Sequence, residues 1–265
     1  MALHRVARFA DVPENRGLEA RIADTNIVLL RVGDQLRAYQ GECPHAGAPL
    51  AQGAVCNGRL ICPWHKAEFR IEDGALCEPP ALDSLKRYPL ELRDGDIWVD
   101  DQPFADAHTP PADDERTFVI VGAGAAGTAC AAALREKGFG GQILLIDREA
   151  DAGYDRTVLS KFVIAAEMPP EEIPPLRDNG FYREQRIERI TCEVASLDSA
   201  NKTLGLTNGR SLNYDAALLA TGGKPNPLTL SGADLPQVFL LRSKEQALRI
   251  LQAAKPGQRA VIIGD

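Results

Sequence analysis

The chain has 265 residues, room for two domains at about 150 residues each. With 45% hydrophobic and 25% charged residues it falls in the globular range, which excludes disordered, collagen-like and mucin-like classes. Lys plus Arg number 30 against 37 Asp plus Glu, a formal charge of −7, which argues against a nucleic-acid phosphate track and an anionic membrane surface and leaves small molecules or proteins as partners.

Near the N-terminus, Arg5 and Arg8 are followed by Asp11 and Pro13 before any apolar stretch forms a signal-peptide core. A cytoplasmic protein is expected. Short β-type runs follow, such as Asn26 to Val32 and Asp96 to Val99, separated by the turn pairs Gly33-Asp34, Asp73-Gly74 and Asp94-Gly95. This pattern predicts an all-β domain.

Within it, Cys43-Pro44-His45 and Cys62-Pro63-Trp64-His65 give C-x-H, sixteen intervening residues, then C-x-x-H, using two of six cysteines and two of four histidines. Pro44, Pro49 and Pro63 stop helix and Gly47 and Gly58 allow tight turns, so both sit in loops. A [2Fe–2S] centre of the Rieske type needs two thiolates on one iron and two imidazoles on the other, and each loop offers one of each. Zinc is the competing metal, although its usual C-x₂₋₄-C and H-x₃₋₅-H spacings fit the one-residue gap poorly. Cys56, Cys77, Cys130 and Cys192 show no paired spacing, as expected for reduced thiols. His4 and His108 are read as solvated.

Asp100 to Arg116 contains Pro103, Pro110 and Pro111 with the acids Asp113, Asp114 and Glu115, and reads as an exposed linker. The order then becomes strand (Thr117 to Val121), helix (Ala125 to Lys137), strand (Gln142 to Ile146), the βαβ order of a doubly wound α/β sheet. Thr117 to Leu134 carries no charge and is long enough to raise a membrane-spanning alternative, but its spaced glycines fit a strand, a turn and a buried helix better. Gly122-Ala-Gly124-Ala-Ala-Gly127 follows the strand and opens the helix, as a dinucleotide fingerprint requires. Gly122 permits the turn, Gly124 admits the pyrophosphate and Gly127 lets helix pack on strand, while Asp147 is placed for a ribose diol. These residues do not by themselves distinguish FAD from NAD. Further on, Ile187 to Leu206 and Ala216 to Ala220, with a turn at Asn208-Gly209, read as hairpins crossing over the sheet. Arg259 to Gly264 repeats the signal of Arg116 to Gly122, so a second strand-and-glycine unit is expected to begin and stop at Asp265.

Cys43 to Leu50 with Cys62 to His65 resembles a Rieske ferredoxin domain, over about residues 1–102. The resemblance implies Cys43, His45, Cys62 and His65 as cluster ligands. Respiratory-chain relatives add a loop-bridging disulfide and hydroxyls near the sulfurs. The matching positions here are Ala48 and Trp64, and Ala67 and Phe69, which implies no bridge and a low potential. Tyr154 to Lys161 and Tyr214 to Gly223 resemble motifs of the flavoprotein pyridine nucleotide–disulfide reductase superfamily, in the branch of oxygenase-coupled ferredoxin reductases and apoptosis-inducing-factor-like proteins. This resemblance points to FAD. It implies Lys161 as the catalytic residue against the isoalloxazine, with Arg156 lining the same region, and Val194, Thr221, Gly222 and Arg242 touching the cofactor. The family's Pro-Pro in the first motif is Thr157-Val158 here.

The expected architecture is therefore an all-β Rieske domain (1–102), a linker (103–116), a Rossmann-like FAD-binding domain (117–258) and the first strand of an incomplete NAD(P)-binding domain (259–265). As a whole the chain resembles the apoptosis-inducing-factor-like Rieske oxidoreductases, whose members continue through an NAD(P) domain, return to finish the FAD domain and end in a third domain. The expected function is an NAD(P)H-dependent flavoprotein that passes electrons from FAD to a Rieske [2Fe–2S] cluster and on to an unknown acceptor, for which a redox-partner protein is one expectation. Alternatives are an electron-carrier module that docks to an oxygenase without oxidising NAD(P)H itself, and a structural zinc protein.

Overall fold

Every position of Ile27-Val-Leu-Leu30 is apolar, which a strand sustains only when both its faces are covered. In the computed structural model, which describes residues 2–104 and 113–263, Ile27 and Leu29 enter one core while Val28 and Leu30 enter another. The chain divides into two units, Met1–Ala107 and His108–Asp265. His108, Pro110 and Pro111 lie outside the described residues.

The first unit is all-β: β1 (Leu3–Arg8), β2 (Gly17–Ile22), β3 (Thr25–Val32), β4 (Gln35–Gln40), β5 (Ala54–Cys56), β6 (Arg59–Ile61), β7 (Glu68–Arg70), β8 (Leu76–Glu78), β9 (Arg87–Tyr88), β10 (Leu90–Arg93) and β11 (Asp96–Asp100). They form three antiparallel sheets, β1-β11-β10, β2-β3-β4-β9 and β5-β6-β7-β8. The core that takes Val28 and Leu30 also holds Cys43, Ala48, Leu50, Leu60, Cys62, Ala67 and Phe69, so the cysteines are anchored in packed apolar surroundings. Tyr39 crosses this core and donates to the Ile71 carbonyl at 2.8 Å, pinning β4 to the segment after β7.

The second unit is α/β. It contains β12 (Thr117–Val121), α1 (Ala125–Glu136), β13 (Gln142–Asp147), α2 (Asn179–Glu184), β14 (Ile187–Thr191), β15 (Val194–Asp198), β16 (Thr203–Leu206), β17 (Ser211–Asn213), β18 (Ala216–Leu219) and α3 (Lys244–Ala253). A parallel sheet runs β14-β13-β12-β18. The uncharged Thr117 to Leu134 stretch is a strand, a turn and the start of a helix, and among the described residues no helix is long and apolar enough to cross a membrane.

Two expectations are corrected. Ile187–Thr191 and Ala216–Leu219 are not hairpin strands; each extends the parallel sheet, paired in register with β13 and β12 respectively. Only β15, β16 and β17 form an antiparallel meander, which covers Val119, Val121, Leu144 and Ile146 with Leu204 and Leu206. The strand expected over 259–265 is absent among the described residues. Residues 259–263 have no ladder partner, and Val261, Ile262 and Ile263 are 87%, 89% and 65% exposed. Without a neighbouring strand, β-type residues gain no hydrogen bonds from extending.

Sequence reading also missed Arg135, a buried charge near the end of α1. Its guanidinium donates to the carbonyls of Gln185 (2.6 Å), Phe139 (2.5 Å), Gly141 (2.9 Å) and Arg186 (2.8 Å). Burial, helped by the nearby Arg186, moves its pKa below the ordinary value, yet four carbonyls satisfy the cation. One side chain thereby ties α1 to the loop entering β13 and to the loop between α2 and β14. Arg135→Met is expected to destabilise this unit by about 3 kcal/mol, because hydrogen bonds to charged groups contribute ~1.5–3 kcal/mol and buried carbonyls would lose their donors. Urea unfolding followed by helical ellipticity at 222 nm measures it. An unchanged midpoint would contradict this role.

Candidate cofactor sites

The two Cys/His loops fold alike. Each is a six-residue hairpin from a cysteine to an alanine: the Cys43 amide donates to the Ala48 carbonyl and the Cys62 amide to the Ala67 carbonyl, both at 2.8 Å. Flanking pairs Glu42↔Pro49 and Ile61↔Glu68 continue each hairpin outward. In each loop the fifth residue takes the left-handed conformation, Gly47 at φ +74 and Lys66 at φ +64, and donates back to the cysteine carbonyl. The loops differ in where histidine stands, third in one and fourth in the other.

This folding brings the ligands together in pairs. Cys43 and Cys62 are buried side by side, while the Nδ1 atoms of His45 and His65 lie 3.1 Å apart with the rings at 80°. Two nitrogens held about 2.0–2.1 Å from one tetrahedral metal stand roughly 3.4 Å apart, so the imidazole pair fits one ion. Burial pushes the Cys43 thiol up to about 11, and the adjacent Cys62 pushes it the same way, while amides of His45 and Ala46 aimed at the sulfur pull it down. Those amides suit a metal-bound thiolate, whose charge the ion offsets. Among the described residues no three His, Cys, Asp or Glu side chains converge on a single ion. A two-and-two arrangement suits a binuclear cluster better than one four-ligand zinc.

In the second unit, Gly122 ends β12 at φ +108, and a Cβ there would overlap the Ala220 carbonyl at the end of β18. A Cβ on Gly127 would overlap the Gly122 carbonyl oxygen, so the helix rests directly on the turn. Gly124 is different: nothing lies within 4 Å of where its Cβ would stand. It is the N-cap of α1, and no side chain caps that end. Open space beside unpaired helix amides is what an approaching pyrophosphate needs. The Asp147 carboxylate accepts from the Ala123 amide at 2.5 Å and the Glu149 amide at 2.9 Å, which fixes it beside the turn and leaves lone pairs for a diol.

The remaining candidates divide. Thr221 and Gly222 (φ +68) follow β18 beside Gly122, and the Arg242 guanidinium lies 2.8 Å from where a Gly222 Cβ would be. Arg156 donates to the Arg242 carbonyl at 3.0 Å, so it belongs to the same neighbourhood. Val194 starts β15 and is half-buried against the meander core. Lys161 stands apart from this network. It is exposed on a π-helical turn, Leu159–Val163, that buries Leu159 and Val163, and its ammonium makes no hydrogen bond or ion pair with described residues. Sequence reading missed Glu149 and Tyr154 as partners of Arg156. Tyr154 lay inside a quoted motif, but its partner Lys244 is 90 positions away.

Comparisons with known proteins match each part of the chain to a family. The family model for pyridine nucleotide-disulphide oxidoreductase matches residues 116–265, more than half of the chain, and that for the Rieske [2Fe-2S] domain matches residues 2–89. Apoptosis-inducing factor 3 of Mus musculus is 34% identical over 98% of this chain and 44% of its own length. The biphenyl dioxygenase system ferredoxin–NAD(+) reductase component of Paraburkholderia xenovorans is 39% identical over 56% of this chain and 36% of its own length. The ferredoxin reductase for the CYP199A2 system from Rhodopseudomonas palustris superimposes with a TM-score of 0.49 at 33% identity, over 52% of this chain and 34% of that one. The chain thus spans less than half the length of these relatives. A Rieske domain implies a [2Fe–2S] cluster, and a pyridine nucleotide-disulphide oxidoreductase domain implies FAD and NAD(P)H.

Three predictions follow from the geometry. Iron and sulfide analysis is expected to find two of each per chain, lost together in Cys43→Ser or His65→Ala; one zinc and no iron would overturn the assignment. The midpoint is expected in the lower half of the range of about −150 to +300 mV, because the buried Ala67 and Phe69 offer no hydroxyl, and Ala67→Ser is expected to raise it. The glycines should separate by variant: Gly124→Val folds but purifies without flavin, whereas Gly127→Ala, which must displace backbone, fails to fold stably. Flavin retained at wild-type stoichiometry in Gly124→Val would refute the phosphate position.

Proposed function

Because the chain belongs to the pyridine nucleotide-disulphide oxidoreductase family and carries a Rieske [2Fe-2S] domain ahead of that match, we propose that it is an NAD(P)H-dependent flavoprotein feeding electrons from FAD to its own Rieske cluster and on to a separate acceptor. The observation that carries this reading is that one chain holds both paired thiols with paired imidazoles and an open, uncapped glycine turn beside an acid. When bound, FAD takes electrons in pairs as hydride and releases them singly, the conversion a one-electron cluster requires.

The protein's own part is placement and charge. Cys43 and Cys62 hold one iron and His45 and His65 the other. Gly122, Gly124 and Gly127 shape the pyrophosphate seat, and Asp147 orients the ribose. Arg156, Arg242, Val194 and the Thr221-Gly222 turn line the remaining cofactor path. Lys161, an exposed cation without a partner among the described residues, is free to face the flavin and favour its anionic reduced form. Relatives named as ferredoxin–NAD(+) reductase components of dioxygenase systems support a redox-partner protein as the acceptor. A second reading, an electron-carrier module that docks to an oxygenase, draws on the exposed cluster tip, where Trp64 is 55% exposed.

Anaerobic mixing of the full-length protein with NADH, then with NADPH, separates the two. Bleaching of the flavin followed by the reduced-cluster EPR signal is the expected result. Lys161→Ala is expected to slow the bleaching about tenfold, the effect of ~1.4 kcal/mol, with the cluster spectrum unchanged. If the cluster is reduced by an external reductase but by neither nucleotide, the carrier reading replaces the reductase.

A further inference from the structure

The motif that contains Arg156 also contains Tyr154, and the site as described so far gives Tyr154 no task. Its ring is only 7% exposed, and its hydroxyl is saturated. The hydroxyl donates to Glu149 Oε2 at 2.7 Å and accepts from Arg156 Nη1 and from the Lys244 amide, each at 2.9 Å. One donor and two acceptor sites are all that a phenol has. Glu149 completes the grip: its Oε1 accepts from Arg156 Nη2 at 2.6 Å, so the guanidinium is held at both terminal nitrogens.

The knot reaches further on either side. The Glu149 amide donates to Asp147 Oδ1, and Asp147 Oδ2 accepts from the Ala123 amide in the glycine turn. Arg156 Nη1 donates to the Arg242 carbonyl, and Lys244 begins α3 just beyond. The end of β13 and the stretch around 154–156, close in sequence, therefore meet the entry to α3, some 90 positions on, at one phenol. Burial, and then the Glu149 hydrogen bond, push the Tyr154 hydroxyl up to about 12, so the proton stays on oxygen and the direction of donation is constant across neutral pH. For Arg156, burial works against the charge, but Glu149, Tyr154 and Asp147 together more than offset it and the pKa rises.

We propose that Tyr154 and Glu149 are positioning residues of the FAD site, setting the Arg156 guanidinium and the Arg242–Lys244 main chain in the arrangement that receives the cofactor. This rests on the FAD reading given above. Neither side chain is asked to touch the flavin. Without the phenol oxygen, the Lys244 amide loses its acceptor and the guanidinium loses one of the contacts that orient it.

The test is a double-mutant cycle on the full-length apoprotein titrated with FAD, read by quenching of flavin fluorescence, with the midpoint potential of the bound flavin as second readout. Tyr154→Phe and Arg156→Gln are each expected to weaken FAD binding about tenfold, ~1.4 kcal/mol. The double variant is expected to stay within about twofold of Arg156→Gln alone, since residues acting through one another are not additive. Both single variants are expected to shift the potential in the negative direction, with no further shift in the double. The proposal is overturned if Tyr154→Phe binds within twofold of wild type, or if its effect multiplies fully with that of Arg156→Gln, which marks a structural tyrosine independent of the arginine. Failure of the underlying reading looks different: wild-type apoprotein does not bind FAD, or Arg156→Gln binds it as well as wild type. Glu149→Gln, which keeps volume, carries the same cycle if the Tyr154→Phe apoprotein has no cooperative thermal transition.

Discussion

The second unit is organised by a distance too short for a side chain. The Gly122 carbonyl oxygen lies where a Cβ on Gly127 would have to be, so α1 sits on the end of β12 with nothing between them. From that closeness the rest follows in order. The helix amides face the open space beside Gly124, and the Ala123 amide reaches Asp147, which caps the end of β13. Glu149, two residues on, then stands where it meets Tyr154 and Arg156. At the other end of α1, Arg135 closes the unit by binding four carbonyls of two loops. The candidate cofactor seat and the fold thus share their key contacts.

The first unit solves a different problem, that of holding polar, metal-ready groups at the edge of an apolar core. Both cysteines are packed with Leu50, Leu60 and Phe69, whereas His65 and Trp64 point outward. Buried sulfur and exposed imidazole suit a centre whose inner iron is shielded and whose outer iron is accessible to an electron acceptor.

Legibility in sequence varied with the range of the interaction. The Cys/His half-sites and the glycine fingerprint are local patterns of rare or conformationally special residues, and their spacing alone announces loops and a strand–turn–helix. The Asn208-Gly209 turn was equally local, and the chain does turn there, with the Leu206 amide bonded to the Arg210 carbonyl and Gly209 at φ +83. Yet a turn does not say which sheet its neighbours join. Ile187–Thr191 and Ala216–Leu219 go to the parallel sheet because their partners are β13 and β12, dozens of residues earlier. Arg135 and Tyr154 were opaque for the same reason. A charged residue in an alanine-rich helix and a tyrosine in a loop look solvated until, beside their local partners, the Gln185 and Arg186 carbonyls and the Lys244 amide arrive from elsewhere in the chain.

Both cluster hairpins are closed by main-chain hydrogen bonds, at residues 43 and 48 and at residues 62 and 67, with one side-chain bond added in the second loop, from Lys66 Nζ to the Pro63 carbonyl. Apart from the left-handed fifth position, tolerant of Gly47 in one loop and Lys66 in the other, the loop interiors contribute little to closing the chain. Evolution can therefore drift through positions 44, 46, 63 and 64, changing charge, bulk or polarity around an electron-transfer centre, while the scaffold that carries it remains foldable.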